Sequence, residues 1–413
     1  MFLFNLKNYN EMQEKTTPFT KEALLPQEEK LEILKKKKQL IIGVPKETHP
    51  DEGRVAITPL GVEVLVNNGH KVLIESRAGK SANFDDLDYS DKGADVTENK
   101  AEVYQCDIII KVAPFTQEEI NLFKGNQIVI SATHIAAQDE NFILGLIKKR
   151  VSAIGFEYLK DRNDCFPVIR SMSEIAGKTS VLIAAEYLSN VHDGKGEMLG
   201  GITGINPTEV VILGAGTAGE YAARAAMGLG ALVKVFDASV FKLRRLQSNL
   251  GQVIFTSVMQ PKVLLNALKS ADVAIGAIRQ GDPASKYMVS EDVVRQMKRG
   301  SIIVDISIDQ GGCFETSRLT THSNPVYREY GVIHYCVPNC ASRVARTASY
   351  ALSNIFVPML LELAESGDLK TYIREKPWMR SGIYVYNGIL TNSHIGDLFD
   401  IQAKDIDLLL AAF

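Results

Sequence analysis

Gly214-Ala215-Gly216-Thr217-Ala218-Gly219 has the spacing GxGxxG. It joins an apolar run at 210–213 to an alanine-rich, helix-forming stretch at 220–229. A second apolar run, 232–236, follows and ends at Asp237, 23 residues beyond Gly214. Each part has a task in holding a dinucleotide. Gly214 permits the tight turn from strand to helix, Gly216 has no side chain to block a pyrophosphate, and Gly219 lets the helix approach the sheet. The helix N-terminus offers unpaired N–H groups and a positive dipole end to phosphates. Asp237 is suited to accept from the adenosine ribose hydroxyls; a 2′-phosphate there meets a like charge, so NAD is favoured over NADP. Lys242 and Arg244 follow and soften that repulsion. A plain tight turn with packing glycines is the competing reading, and the strand, helix, strand and aspartate around the hexapeptide argue against it.

Four further side chains have types suited to chemistry. Arg54, in Gly53-Arg54-Val55-Ala56-Ile57-Thr58-Pro59, stands just before a helix, where a guanidinium can clamp a carboxylate through two parallel hydrogen bonds. Lys111 ends the apolar run 107–112. Two readings stay open for it: a ligand at the C-terminal edge of a parallel sheet, where ligands collect, or a side chain snorkelling to solvent. His134 follows the run 128–133, again at a strand end. Its ordinary pKa suits it to carry protons near neutrality, although a lone histidine is commonly structural. Asp309, in Asp305-Ile306-Ser307-Ile308-Asp309-Gln310-Gly311-Gly312, is expected on the nicotinamide side of the crevice, with the glycine pair permitting a sharp turn; a turn-capping aspartate is the alternative.

These residues need a scaffold of parallel strands. From residue 39 the pattern alternates between short apolar runs (40–44, 71–75, 107–112, 127–132, 151–158) and helical spacing. A second series starts near 209, with runs at 210–213, 232–236, 253–255, 273–277, 302–306 and 332–336. Such alternation predicts α/β architecture: two Rossmann-like, doubly wound parallel-sheet domains. After Thr347 the sequence turns helical and ends without a new βαβ series. The C-terminal helices are therefore expected to pack back on the first domain and make it discontinuous. The resulting division is an N-terminal extension at 1–38, a substrate domain at 39–170 completed by helices at 345–413, and a nucleotide domain at 171–344.

Composition bounds the alternatives. The chain has 413 residues, 46% hydrophobic and 23% charged, with a net charge of −3. This suits a globular protein of two or three domains and argues against a nucleic-acid or lipid coat. No run of 18 apolar residues appears, so no membrane span is expected, and no signal peptide is recognised. Five scattered cysteines without metal-site spacing point to a reducing cytoplasm, free thiols and no structural metal. Residues 1–38 are polar and end in a charged run. They read as a solvated surface helix or arm, or as a contact with another subunit.

The constellation resembles the alanine dehydrogenase family, which is related to the NAD-binding subunit of proton-translocating transhydrogenase. The matching segments are Ile42-Gly43-Val44-Pro45-Lys46-Glu47, Arg54-Val55-Ala56-Ile57-Thr58-Pro59, Lys111-Val112, Thr133-His134, Met172-Ser173-Glu174-Ile175-Ala176-Gly177, Gly194-Lys195-Gly196, the glycine loop and Asp309-Gln310-Gly311-Gly312. The resemblance implies reversible, NAD-dependent conversion of L-alanine and water to pyruvate and ammonia. It implies that Arg54 and Lys111 bind the substrate's carboxylate and carbonyl oxygen, that His134 is the general acid/base, and that Asp309 orders the site. It further implies Met172 and Ser173 near the cofactor, Ser257 near the adenosine, Asn339 near the nicotinamide, and a homohexamer whose domains close over the substrate. Two segments depart from the family pattern. Asn339-Cys340-Ala341-Ser342-Arg343-Val344-Ala345-Arg346-Thr347 lacks two prolines and adds Arg343, and Ile278-Arg279-Gln280-Gly281-Asp282 replaces an apolar Pro-Gly stretch. A transhydrogenase-type subunit and a non-catalytic NAD-responsive binding protein are the competing functions.

Overall fold

The computed structural model describes residues 39–278 and 288–412. The N-terminal extension at 1–38 and the departure at 279–282 lie outside the described residues. The chain forms two sheets. The first contains β1 (Ile41–Val44), β2 (Lys71–Glu75), β3 (Asp95–Thr97), β4 (Ile108–Ile110), β5 (Ile128–Ser131) and β6 (Ser152–Gly155). The second contains β7 (Glu209–Leu213), β8 (Leu232–Phe236), β9 (Phe255–Ser257), β10 (Val273–Gly276), β11 (Ile302–Asp305), β12 (Val326–Glu329) and β13 (Val332–Tyr335). The chain then returns to the first sheet as β14 (Ile383–Tyr386) and β15 (Ile389–Leu390).

Two-residue periodicity explains why helices cover both faces. Ile108 and Ile110 of β4 enter one apolar core, and Ile109 between them enters another. Val210 and Ile212 of β7 likewise separate from Val211 and Leu213. Strands buried on both faces need a cover on each.

The strand orders are β15-β14-β6-β5-β4-β1-β2-β3 and β12-β13-β11-β10-β7-β8-β9. Each order reverses once, between β1 and β4 in the first sheet and between β7 and β10 in the second. Such reversals open a crevice at the carboxyl ends of the strands. Lys111 directly follows β4, and Gly214 directly follows β7, so the sequence puts chemistry at both reversals.

Both sheets are mixed at one edge, not wholly parallel: β12 runs antiparallel to β13, and β14 runs antiparallel to both β6 and β15. The C-terminal segment thus contributes a hairpin as well as helices. Its turn is Asn387-Gly388, with φ of 49° and 76°, the left-handed pair that an Asn-Gly hairpin turn requires. The third strand of the second series lies at Phe255–Ser257 and not at 253–255; Val253 is 90% exposed.

Two long helices tie the sheets together. Pro167–Leu188 starts on a proline, which is tolerated at a first turn whose N–H has no intrahelical partner. Ala345–Ser366 returns to the first sheet, where Ser349 and Ser353 accept hydrogen bonds from the backbone N–H groups of Val55 (2.9 Å) and Thr58 (3.2 Å). Among the described residues, Cys340–Ser366 is the helical stretch long and apolar enough to cross a bilayer, and 56% of its most apolar window is buried inside the protein. It serves here as a core helix. Fully buried Phe356 on it meets Phe156 after β6 at 5.5 Å between ring centroids. Phe356→Ala leaves a cavity at this joint and is expected to cost about 3–5 kcal/mol of stability in chemical denaturation; a loss below about 1 kcal/mol would show that the helix does not depend on this contact.

Candidate functional site

The glycine turn follows the expected division of labour. Gly214 has φ +111°, and a Cβ there would lie 2.4 Å from the Ala277 carbonyl across the strand reversal. A Cβ at Gly219 would lie 1.9 Å from the Gly214 carbonyl, so only glycine lets this helix sit so close to its strand. A Cβ at Gly216 would meet nothing within 4 Å. The helix Thr217–Gly228 begins with no side-chain cap. Open space and uncapped N–H groups coincide, which fits a diphosphate. Gly177 on the long helix adds a further restriction: a Cβ there would approach the Ala218 carbonyl to 2.2 Å.

Asp237 at the end of β8 is buried. Its Oδ2 accepts from Ala215 N (2.8 Å) and its Oδ1 from Ser239 N (2.8 Å). The carboxylate therefore braces the glycine turn and retains further lone pairs for ribose hydroxyls. The Ser257 carbonyl accepts from Asp237 N at 3.3 Å, and the Ser257 hydroxyl donates to Val258 O at 2.9 Å. Lys242 is exposed, and its backbone N–H closes the cap on Ser239. The guanidinium that reaches the glycine turn belongs to Arg245, donating to Ala215 O at 3.4 Å.

A crevice opens between the long helix Pro167–Leu188 and the carboxyl ends of the second sheet's strands. Met172, Ser173, Ala218, Ser307, Asp309 and Asn339 are among the residues lining it. Gly311 and Gly312 make the turn after Asp309 with φ of +97° and +78°. Buried Asp305 organises this turn by accepting from Cys313 N (2.7 Å), Ser317 Oγ (2.7 Å) and Ser307 N (3.2 Å). Burial raises its pKa against those bonds. The residue added at 343 does not enter the crevice lining. The Arg343 guanidinium donates to Glu186 on the long helix at 2.5 Å and lies over the Tyr335 ring. An ion pair anchors this turn, which has no prolines of its own.

Arg54 is buried and already forked to a carboxylate. Glu52 Oε1 accepts from Arg54 Nε at 2.7 Å, and Oε2 accepts from Nη2 at 2.5 Å. The other terminal nitrogen, Nη1, faces Met172 Sδ at 3.3 Å and so points toward the crevice. Burial raises the Glu52 pKa, but Arg54's charge and hydrogen bonds, with one from Asn339, outweigh it and hold the carboxyl below its ordinary value.

His134 takes a left-handed backbone conformation, φ 42°, at the start of a short turn. The residue is exposed to solvent. Protein crowding lowers its pKa and Arg54 lowers it further, whereas Glu157, Glu52 and Asp309 pull it upward. Arg54, His134 and Asp309 therefore share one electrostatic neighbourhood. Glu157 is fixed from one side: its Oε1 accepts from both Thr133 N and Thr133 Oγ, each at 2.6 Å. Its Oε2 is buried without a hydrogen-bond partner.

Lys111 does not snorkel. Its side chain is 0% exposed and pairs with Glu119 at 3.0 Å and Glu47 at 3.7 Å. Burial pushes the Glu47 carboxyl up to about 7 against the pull of Lys111, with Glu52's charge adding to the rise. Two carboxylates, Glu47 and Glu52, thus stand between Lys111 and Arg54, and none of Lys111, Arg54 and His134 is among the residues that line the crevice.

Glu47, Glu52, Glu119, Glu157 and Arg245 were not singled out from sequence. Glu157 lies just past the end of β6, the same signal that marked Lys111 and His134. Glu119 is legible as the last residue of a capping box with Thr116, but its pairing with Lys111 is not.

Two α/β sheets joined by long helices, one of them with a glycine turn at its reversal, define a class: two-domain α/β dinucleotide-binding proteins. The chain belongs to the alanine dehydrogenase/PNT family. The model of that family's N-terminal domain matches residues 43–176, and the model of its C-terminal domain matches 180–393. Alanine dehydrogenase 2 of Staphylococcus aureus (strain USA300) is 36% identical over 367 residues, covering 89% of this chain and 98% of the relative. Alanine dehydrogenase of Staphylococcus saprophyticus is 36% identical over 372 residues, covering 90% and 100%. A solved L-alanine dehydrogenase superposes with a TM-score of 0.82 at 34% identity, covering 88% of this chain and all of that one. A transhydrogenase from Sinorhizobium meliloti shares the fold, with a TM-score of 0.73 at 23% identity, covering 86% and 99%.

Glu157→Gln removes a negative charge that supports protonated His134. The His134 pKa is expected to fall in an NMR titration of the imidazole; an unmoved titration would separate the two groups.

Proposed function

We propose that the protein oxidises L-alanine with NAD and water, giving pyruvate, ammonium and NADH, and runs the reverse reaction. One observation carries this reading: His134 shares its electrostatic surroundings with Arg54 and Asp309, and Arg54 touches Met172, which lines the crevice. A proton-carrying group beside a carboxylate clamp suits amino-acid deamination. Exchange of hydride between two nucleotides needs no such group, so a transhydrogenase role leaves His134 unexplained.

The division of the chain follows. Residues 39–170 with 345–413 form the substrate lobe, and 171–344 form the cofactor lobe. Gly214, Gly216 and Gly219 shape the diphosphate cradle. Asp237 takes the ribose hydroxyls, with Lys242 offsetting its charge, and Ser257 lies toward the adenosine. Met172, Ser173 and Asn339 hold the nicotinamide end. NAD, when bound, supplies the hydride acceptor for the alanine Cα. All remaining chemistry belongs to the polypeptide and to water.

Arg54 takes the alanine carboxylate on its crevice-facing edge, because Glu52 occupies the opposite edge. Its lowered pKa keeps His134 neutral near pH 7, ready to accept a proton from water as that water adds to the substrate imine. The same imidazolium then returns the proton to the departing amine. Asp309 stabilises the charge that His134 gains. By family likeness Lys111 supports the substrate oxygen, and for that it must leave its closer partner Glu119 as well as Glu47, whose carboxyl near 7 weakens its own hold. Docking of the two lobes keeps bulk water from the reacting carbon. By family likeness the working form is a homohexamer in the cytoplasm.

An amino-acid panel assayed with NAD and NADP tests the reading: L-alanine with NAD is expected to give the fastest absorbance rise from reduced nicotinamide, and a faster rate with another amino acid would replace the substrate. His134→Ala is expected to lower kcat about 10²–10⁴-fold with NAD affinity nearly unchanged, so comparable losses in both would make His134 structural. Asp237→Ala is expected to weaken NAD more than NADP, and an unaltered preference would remove Asp237 from the ribose site.

A further inference from the structure

Three consecutive residues just before Arg54 each bond to loops of the second sheet. Asp51 Oδ1 accepts from His322 N at 3.2 Å, Glu52 Oε2 accepts from Asn339 Nδ2 at 3.0 Å, and Gly53 N donates to Ser342 Oγ at 2.7 Å. The middle contact differs from its neighbours. Glu52 has a side chain only 3% exposed, and its carboxylate receives four hydrogen bonds. Oε1 takes Arg54 N (3.0 Å) and Arg54 Nε (2.7 Å), and Oε2 takes Arg54 Nη2 (2.5 Å) together with Asn339 Nδ2. One oxygen therefore serves the substrate-side arginine and the crevice-lining asparagine at once.

We propose that Glu52 is a positioning residue: it aims Arg54 at the substrate carboxylate and does so fully only while the Asn339 loop is docked on it. The inference rests on the reading of Arg54 as the carboxylate ligand. A free arginine side chain has many rotamers, and a two-pronged bond to a fixed carboxylate selects one of them. The selected rotamer gives Nε and one face of Nη2 to Glu52 and leaves Nη1 for the crevice. Asn339 completes the shell around Oε2. When the loop lifts away, water replaces the amide, the carboxylate becomes solvated, and its hold on the guanidinium loosens. Asn339 itself sits in the left-handed region, φ 60°, at the start of the turn Cys340–Val344. Ser342, two residues into the same turn, secures the adjoining Gly53.

The test is a double-mutant cycle on the full-length enzyme. KM for L-alanine at saturating NAD is compared for wild type, Glu52→Gln, Asn339→Ala and the double variant, with NAD affinity and thermal midpoint measured alongside. Glu52→Gln is expected to raise KM for alanine about tenfold or more with a smaller change in kcat and NAD affinity within about twofold. Glu52→Asp is expected to recover part of that loss. The double variant is expected to be no worse than Glu52→Gln, because both substitutions break one unit. Wild-type KM in Glu52→Gln, or effects of the two substitutions that simply multiply, would overturn the proposal. If Glu52→Gln does not fold, Ser342→Ala takes its place: it removes the Gly53 contact and spares both partners of Glu52. A severalfold rise in KM for alanine with unchanged NAD affinity supports the proposal, and an unchanged KM overturns it. Wild-type turnover of alanine is measured first. Its absence removes the reading of Arg54 and this inference together, whereas its presence with a failed cycle removes this inference alone.

Discussion

A cation at the end of a buried strand has little water to screen it, and the protein must supply the counter-charge. That constraint orders the first sheet's side of this molecule. Lys111 lies between Glu119 and Glu47, Glu47 feels Glu52, and Glu52 forks Arg54. The result is a row of charges in which two carboxylates, Glu47 and Glu52, stand between the two cations, and it ends at Arg54 beside Met172. Each cation is bearable because a carboxylate stands beside it, whereas Glu47 and Glu52 repel one another. Glu47 is the weak point of the row: it must share Lys111 with Glu119, and burial pushes it toward the neutral form. Glu119, beside Lys111 and tied to Thr116 N, is held below its ordinary pKa although burial opposes this. Two glutamates on one lysine thus have different properties because their second partners differ.

The cofactor side works by a different constraint, that of backbone proximity. Gly214, Gly219 and Gly177 each stand where a Cβ would collide with a carbonyl oxygen. Together they bring a strand, the helix that follows it and the long interdomain helix into contact. Met172 and Ser173 lie one turn earlier on that same long helix. The fit of the glycine turn therefore sets where the crevice-lining side chains stand. A change at Gly177, remote in sequence from the glycine turn, acts on the same geometry.

Where one period dominates, the fold is readable from residues alone. The triple-isoleucine strand β4 and the run before Gly214 are apolar at every position, and they form the strands expected. β3 is a short polar edge strand, Asp95–Thr97, and it carries no such signal. The C-terminal hairpin did carry one, Asn387-Gly388 between Tyr384-Val385-Tyr386 and Ile389-Leu390, but the helical pattern around it drew the segment toward an all-helical reading. At the site, residue types and places beside strand ends or a helix start drew attention to Arg54, His134 and Asp309 as candidates. Their partners were not legible. Glu52 and Arg54 are two residues apart, a spacing with no helical or strand logic for a side-chain pair; the pairing exists because the loop folds back to dock on Asn339 and Ser342. Lys111 shows the converse, since its position was legible and its direction was not. Whether a strand-end lysine faces a crevice or a buried glutamate depends on the helix Gln117–Leu122 that brings Glu119 beneath it.

Buried ion pairs of this kind are poor sources of stability, because desolvation cancels much of the attraction. Apolar side chains of similar volume could fill the space around Lys111 and Glu119 without that cost. What apolar side chains cannot do is hold positive charge in a fixed direction beside a crevice. Arg54 illustrates the difference. With no counter-charge its guanidinium would seek water, and with a counter-charge on every edge it would be inert. Glu52 takes one edge and leaves the other toward Met172. The loop carrying Asn339 closes over the same carboxylate, so the arrangement that neutralises the charge also joins the two halves of the molecule. Stability, orientation and docking meet in one side chain, and none of the three can be altered there without the others.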